Sequence, residues 1–560
     1  MTTTTDATSE FLVARIATLE AALVEITKER DQLRSSHERL RLDLELLRRR
    51  IFVAKAERID TAQLELEFKD QLAKLDALCA QIKDREARGG TDSPAPNKTK
   101  AKPRGRRDLR VAPIQEVRLE LTDPVLEPLV AEGKAERIGF EESCKLAWQR
   151  GGHRRLVIAR VKYRVPGSDT FASIATTPMP AEAFPRSLAA PSLLAHIITE
   201  KYCDGLPLHR IEDRFARDGV PVDRGTMCRW IEDAGATAGA TVITAARDEA
   251  MRTAFCLATD ATGVAVQPIR TDEAKRQACR RGHYFVQIAD RDHVFFEYTP
   301  KETSAAVSEM FRGFSGYVQA DAKSVYDILF RDPEGEKPPG MRGRREVGCW
   351  VHARRGLWEA TIAKNVVARE GLARIGRIFA FDEKWRDCGA AERKTLRDKF
   401  SRLHVEHFFA WAQTEYDKIH EQRGQLRSAL GYVLRQKEAL TCFLEDGRLL
   451  LDNNRSERAL RRIAVGRKAW LFVGSDDHAQ SAGHLFSLIA SARLHGLDPE
   501  AYLRELFRVL AHWPRDRYLE LAPKYWVATR ARLDNAELQA EVGPLTVPAP
   551  AATVAELVAA

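Results

Sequence analysis

Three carboxylates in this chain, Asp260, Asp321 and Glu457, have the residue type and setting for metal-dependent phosphoryl transfer. Mg²⁺ takes carboxylate and phosphate oxygens as ligands, and two divalent ions roughly 4 Å apart activate an attacking oxygen while stabilising the leaving one. Three carboxylates hold such ions and leave positions for water and phosphate. Glu457 is the most telling of the set. It lies in Leu451–Gly474, LDNNRSERALRRIAVGRKAWLFVG, a basic helix carrying Arg455, Arg458, Arg461, Arg462, Arg467 and Lys468. Such a segment marks a polyanionic partner, because Arg and Lys neutralise phosphates and release counterions. Other readings exist for each acid alone. Asn454 followed three residues later by Glu457 also fits a helix-capping pattern, and Asp at a strand end is usually a turn or cap residue.

The elements that must bring these residues together are visible in the hydrophobic pattern. AFCLATDATGVAVQ (254–267) reads as a strand ending near Asp260 and bounded by Gly263. HYFVQIAD (283–290) and HVFFEYTP (293–300) read as two more strands joined by a tight turn at Asp290–Asp292, followed by a helix over Lys301–Phe311. GYVQADAKSVYDIL (316–329) is a fourth strand with Asp321 at its C-terminal end, ahead of a helix. VGCWVHARRGLWEA (347–360) supplies a fifth strand and another helix. Three successive strands followed by strand–helix alternation predict a mixed sheet in ribonuclease H-like order, with the aspartates where open α/β sheets bind ligands. Residues 365–445 read as helical throughout, and an inserted helical domain accounts for the long interval before Glu457.

Weaker candidates surround this set. His352, Arg354 and Arg355 in WVHARR read as groups near a scissile phosphate or as DNA contacts, with a buried structural histidine beside Trp350 and Val351 as the other reading. Trp470 and Phe472 read as a base-stacking pair or as an aromatic core strand.

The remaining organisation is that of a multidomain α+β chain of 560 residues. From Leu12 to Ile51, apolar residues recur at alternating spacings of four and three, with Arg30 and His37 as polar defects. This predicts a coiled coil over 10–52 and self-association through it. A helix, a Gly/Pro/Ser/Lys linker and a basic arm fill 53–110, and a small β-rich module occupies 111–185. A helix-turn-helix-like region covers 186–240: Pro207–Asp218 as a helix, a break at Gly219, and Asp223 capping a second helix that would present Arg224, Thr226 and Arg229 to DNA. An ordinary helical hairpin fits the same pattern. The catalytic region is 250–500, and 501–560 is a C-terminal helix and tail. The formal charge of +9 is consistent with a nucleic-acid partner. Nine scattered cysteines without a CxxC pair argue against a disulfide framework or zinc ribbon. No signal peptide or membrane span is visible, which predicts a cytoplasmic, nucleoid-associated protein.

LDNNRSERALRRIAVGRKAWLFVGS, FLEDGRLLLDNN, GYVQADAKSVYDIL, GCWVHARR and HGLDPEAYLRELF resemble the transposases of the insertion-sequence sixty-six family of bacterial mobile elements. PLHRIEDRFARDGVPVDRGTMCRWI and LAPKYW resemble segments of the same family, and the likeness covers most of residues 10–526. It implies a DDE transposase with Asp260, Asp321 and Glu457 at the catalytic positions, Mg²⁺ as cofactor with Mn²⁺ as a substitute, and strand cleavage and transfer at terminal inverted repeats of double-stranded DNA. It also implies small accessory proteins from the same element. The chain departs from the family where paired cysteines are usual: only Cys144 is present, and RVPGSDTF follows Lys162-Tyr163. No zinc is expected there. A non-catalytic dimeric DNA-binding derivative and a ribonuclease H-like nuclease are the alternatives.

Overall fold

The structure is a computed structural model and describes residues 115–149, 152–165, 173–185, 187–268, 278–330, 343–362, 365–419 and 424–551. The expected coiled coil, linker and basic arm lie outside the described residues. The described residues fall into two compact units, one made of those within 352–387 and 398–437, the other of those within 115–351, 388–397 and 438–551.

The larger unit opens with a four-stranded sheet: β1 (Gln115–Leu121), β2 (Glu136–Gln149), β3 (Gly152–Val165) and β4 (Ser173–Thr176). The central strand β3 pairs antiparallel with β2 along its length, while β1 and then β4 share its other edge. Flanked on both sides, β3 buries Val157, Ile158, Ala159 and Val161.

Three helices follow. Helix α1 (Pro191–Tyr202) begins with proline at its first turn, where the missing N–H leaves no bond unmade, and buries Leu193, Leu194, Ile197 and Ile198. Helices α2 (Leu208–Arg217) and α3 (Arg224–Ala234) are separated by a turn in which Gly219 has φ +77°, a conformation that a side chain disfavours. Asp223 caps α3, its Oδ1 accepting from Gly225 N–H at 2.8 Å and Thr226 N–H at 3.3 Å. Ile211, Phe215, Met227 and Ile231 are buried in the shared core. Helix α4 (Ala240–Thr253) leads into the second sheet.

That sheet is mixed, in the order β7-β6-β5-β8-β9, with β5 (Cys256–Val266), β6 (Arg280–Ala289), β7 (His293–Thr299), β8 (Tyr317–Gln319) and β9 (Arg345–Val347). The first three strands are antiparallel, while β5, β8 and β9 run parallel. Helices α5 (Asn454–Trp470), α6 (Asp476–Leu494) and α7 (Pro499–Val509) complete the layer. Helix α6 covers the edge strand β7. Ser491 Oγ accepts from Val294 N–H at 2.9 Å and Ser487 Oγ from Phe296 N–H at 2.7 Å. Two edge donors that would otherwise invite another strand are thereby satisfied.

Several elements differ from the sequence expectation. Strand β5 does not end at Asp260. It pairs with β6 from Leu257 to Val266, so its ladder continues through Gly263, where a Cβ would meet the Arg281 side chain at 2.7 Å. The helix expected after Asp321 is present as a short 3₁₀ helix, Ser324–Leu329. The KAWLF segment is not a core strand. Helix α5 runs through Trp470, Leu471 takes φ +66°, Phe472 is exposed, and only Val473 bridges to Val266. The basic run at 342–345 is tied down in part, with Arg344 donating to the carbonyls of Phe311 and Phe314 and Arg345 paired with Glu445.

The smaller unit, where described, is helical: most of Trp350–Ile362, then Val366–Lys384, Arg402–Lys418 and Gln425–Arg435. A Cβ at Gly371 would lie 2.6 Å from the Trp411 ring, so two helices cross closely there.

Candidate active site

The three carboxylates come from three elements of the larger unit. Register places the aspartates. The last rung of the parallel β5–β8 ladder is Ala258 opposite Gln319. Asp260 stands two residues beyond it within β5, and Asp321 two residues beyond it in the segment that follows β8. Glu457 lies in the first turn of α5, which packs on β5 and β6.

The approach to α5 is fixed by buried polar contacts. Gln319 Nε2 donates to the Leu450 carbonyl at 2.8 Å, and Trp350 N–H to the Leu451 carbonyl at 2.9 Å. Asn453 is buried and donates from Nδ2 to the Thr259 carbonyl at 2.7 Å, beside Asp260. Its own carbonyl accepts from Ser456 and Glu457 N–H at 3.1 and 3.3 Å. Asn453 thus joins the strand that carries one acid to the helix that carries another. Asn454 does not cap this helix: it is the first helical residue, and its N–H donates to Asp452 Oδ1 at 3.0 Å. The sequence marks Asn453 and Asn454 as residues that order the turn into the Glu457 helix, and Asn453 does so, but its bond to Thr259 and the Gln319 bond to Leu450 reach carbonyls distant in the chain, which no residue spacing identifies.

Burial raises the Asp260 carboxyl above its ordinary value of 3.8, and the charges of Asp321 and Glu457 push the same way. The Ala261 N–H, 2.7 Å from Oδ1, and the Lys323 charge oppose them. Among the described residues, no three His, Cys, Asp or Glu side chains are gathered closely enough to hold an ion. The donor chemistry nevertheless suits a hard divalent cation. A half-buried carboxylate whose ionisation is opposed by burial and by two neighbouring acids is one that a cation would stabilise.

The basic residues separate into two groups. Arg458, Arg461 and Lys468 are exposed along α5. Arg467 is turned into the sheet, donating to Thr262 Oγ1 at 3.1 Å and to the Gly263 carbonyl. Arg462 is half-buried and reaches the Cys203 carbonyl at 3.5 Å, and Arg455 donates to the Asp290 carbonyl at 2.9 Å. On α3, Arg224 and Arg229 are exposed, and Arg229 donates to Thr226 Oγ1 at 3.2 Å. His352, Arg354 and Arg355 lie in the helix Trp350–Ile362 and belong to the smaller unit, with His352 half-buried and both arginines exposed.

Comparison with known proteins adds to this picture. An uncharacterized protein of Sinorhizobium fredii, y4qI, is 28% identical over 525 residues, covering 91% of this chain and 93% of that relative. A second uncharacterized protein of the same organism, y4hP, is 27% identical over 381 residues, covering 63% of this chain and 65% of the relative. Residues 487–523 match the IS66 C-terminal element. Residues 186–481, which include both aspartates, Glu457 and helices α1 to α5, match the family described as Transposase IS66 family, and the chain belongs to that family.

Proposed function

We propose that the chain is a DNA transposase that cuts and joins DNA strands at the ends of an insertion sequence, with a ribonuclease H-like catalytic domain over about 250–500. The observation that supports this most directly is that Asp260 and Asp321 each lie two residues past the last rung of the parallel β5–β8 ladder, Asp260 within β5 and Asp321 in the segment after β8, with Asp321 and Glu457 both acting on the Asp260 charge. These three residues would hold Mg²⁺, or Mn²⁺ as a substitute, and the bound cations supply Lewis-acid polarisation of the phosphate and activation of the attacking oxygen. In the first step water attacks the phosphorus at the element end and the P–O3′ bond breaks, leaving a 3′-hydroxyl. In the second, that hydroxyl attacks a target phosphate, forming a new P–O3′ bond and releasing the target's 3′ oxygen.

The protein's own part is positional and electrostatic. Asn453 and Gln319 hold the segment that presents Glu457. Arg458, Arg461 and Lys468 along α5, and Arg224 and Arg229 on α3, meet phosphates of double-stranded DNA. Self-association through the N-terminal heptads and small accessory proteins of the same element belong to the same proposal, as does action in the cytoplasm.

The test is strand transfer on duplexes carrying the inverted repeats. Asp260→Asn, Asp321→Asn and Glu457→Gln should each lower the rate at least about 1,000-fold, since all three act on one transition state, with DNA affinity within about twofold of wild type. Full activity in any variant removes that residue from the site. DNA binding without any Mg²⁺-dependent nicking by the wild type would identify a non-catalytic DNA-binding derivative.

A further inference from the structure

A cavity of about 350 Å³ opens where α3, the second helix of the helix–turn–helix, meets the end of α5. Five aromatic rings are among its walls: Tyr202, Tyr284 and Phe486, with Trp470 and the exposed Phe472. Trp470 is the last residue of α5, and the loop after it, which carries Phe472, is pinned to the central strand. Val473 N–H donates to the Ala265 carbonyl at 2.8 Å, and its own carbonyl accepts from Gln267 N–H at 2.9 Å. Gly466 leaves room for the Trp470 ring, whose Nε1 lies 2.7 Å from where a Cβ would stand. The pocket is therefore built by fixed elements.

Its polar lining is unevenly satisfied. Glu232 pairs with His478 at 2.9 Å, and His478 is held by Ser475 Oγ at 2.8 Å. Lys201 lines the same cavity, where burial lowers its amine below the ordinary value and the Cys228 sulfur opposes that; among the described residues no carboxylate lies within ion-pair distance of it, and the Tyr202 ring centroid lies 5.5 Å from Nζ. The Lys201 amine therefore has N–H donors to give and, among the described residues, no carboxylate to receive them. Arg224 stands in the cavity lining at the start of α3, and the exposed Lys468 lies two residues before Trp470.

Aromatic walls, an unpaired donor and two neighbouring cations describe a receptor for a flat aromatic ring that carries acceptor oxygens and is attached to a phosphate chain. We propose that this cavity receives one nucleobase turned out of the DNA duplex, stacked against Trp470 and Phe472, with a base oxygen accepting from Lys201. The inference rests on the DNA-acting reading above and gives the helix–turn–helix and α5 a joint contact on a single nucleotide.

Duplexes with the terminal sequence of the element that encodes this chain, each carrying one 5-iodopyrimidine, are irradiated in complex with the full chain, and the crosslinked peptides are sequenced. One position is expected to crosslink to the peptide containing Trp470 and Phe472. A mismatch at that position should tighten wild-type binding about 3- to 10-fold, because the base pair no longer has to be broken. Phe472→Ala and Lys201→Met should each lose that preference. Phe472 is exposed, so its variant will fold. If the wild type binds and nicks the DNA but crosslinks fall only outside the cavity, or Phe472→Ala keeps the full mismatch preference, the base pocket is wrong and the transposase reading stands. If the wild type binds no end DNA, both fail.

Discussion

Asp260 is a carboxyl placed where its surroundings oppose its charge. Its place in the central strand beside β8 half-buries it, and burial with the charges of Asp321 and Glu457 raises its carboxyl above 3.8. An acid whose value is raised on folding adds stability below its unfolded-state value, and that contribution is lost as pH rises through the folded value. At neutral pH the ionised group therefore weakens the metal-free fold. Asp260→Asn should melt at a higher temperature than wild type at pH 7 without metal, and the gain should vanish below about pH 3.8. Mg²⁺ should raise the wild-type melting temperature and leave the variant's unchanged. Equal Mg²⁺ stabilisation of both proteins would contradict this account. Asn453 acts one step away. Asn453→Ala leaves the Thr259 carbonyl without its 2.7 Å donor, a loss of about 1–3 kcal/mol for a buried polar group. Strand transfer should fall with an increased Mg²⁺ requirement, whereas a purely structural role would lower stability and leave the Mg²⁺ dependence unmoved.

At the scale of elements, the residues that shape local backbone were the legible ones. Gly219 and Asp223 mark a turn and a cap because φ +77° and an unsatisfied helix N-terminus select for Gly and Asp whatever surrounds them. The tight turn at Asp290–Asp292 is legible for a similar reason, since Asp tolerates the φ of +50° found at Asp290. Where β5 ends was not legible: its ladder is sustained by β6, and Gly263 serves the Arg281 side chain that crosses it. Nor does charge reveal its own use. Arg455, Arg462 and Arg467 look like phosphate ligands in sequence, but each reaches a main-chain carbonyl in the fold, which leaves Arg458, Arg461 and Lys468 as the exposed cations of that set on α5. The candidate site was readable as residue types, while the Asn453 and Gln319 contacts that orient it depend on pairings across more than 100 residues. The cap provides a local test. Asp223→Ala should weaken α3 by about 0.5–2 kcal/mol, seen as faster hydrogen exchange over Arg224–Ala234 with the exchange of β5 and β6 unchanged. Uniform acceleration through the unit would show that α3 does not open independently.

At the scale of the larger unit, the C-terminal region is wired to the strand that carries Asp260. Lys524 pairs with Asp292 at 2.8 Å and with Glu249 at 3.3 Å, while Tyr525 and His293 hold the same glutamate. Asp290, in the same β6–β7 turn as Asp292, accepts from the N–H groups of Phe255 and Cys256 at 2.8 and 2.9 Å, and its carbonyl receives Arg455 from the helix of Glu457. The segment LAPKYW therefore braces, through one turn, both the start of β5 and the start of α5. Its strength has a pH signature. Burial alone would raise Glu249, but hydrogen bonds from His293 and Tyr525 and the charge of Lys524 bring it from 4.5 down to about 2. A depressed acid contributes stability above its unfolded-state value and loses it as pH falls toward the folded one. Wild-type stability should thus decline between about pH 4.5 and 2 by an amount on the order of 3 kcal/mol at most from this group. Glu249→Gln should be less stable at pH 7, show a flatter decline over that window, and lose strand transfer more than DNA affinity, because the helix bearing Glu457 is no longer held to the turn. Parallel acid profiles in the two proteins would mean that Glu249 is not the group that links the C-terminal helix to the site.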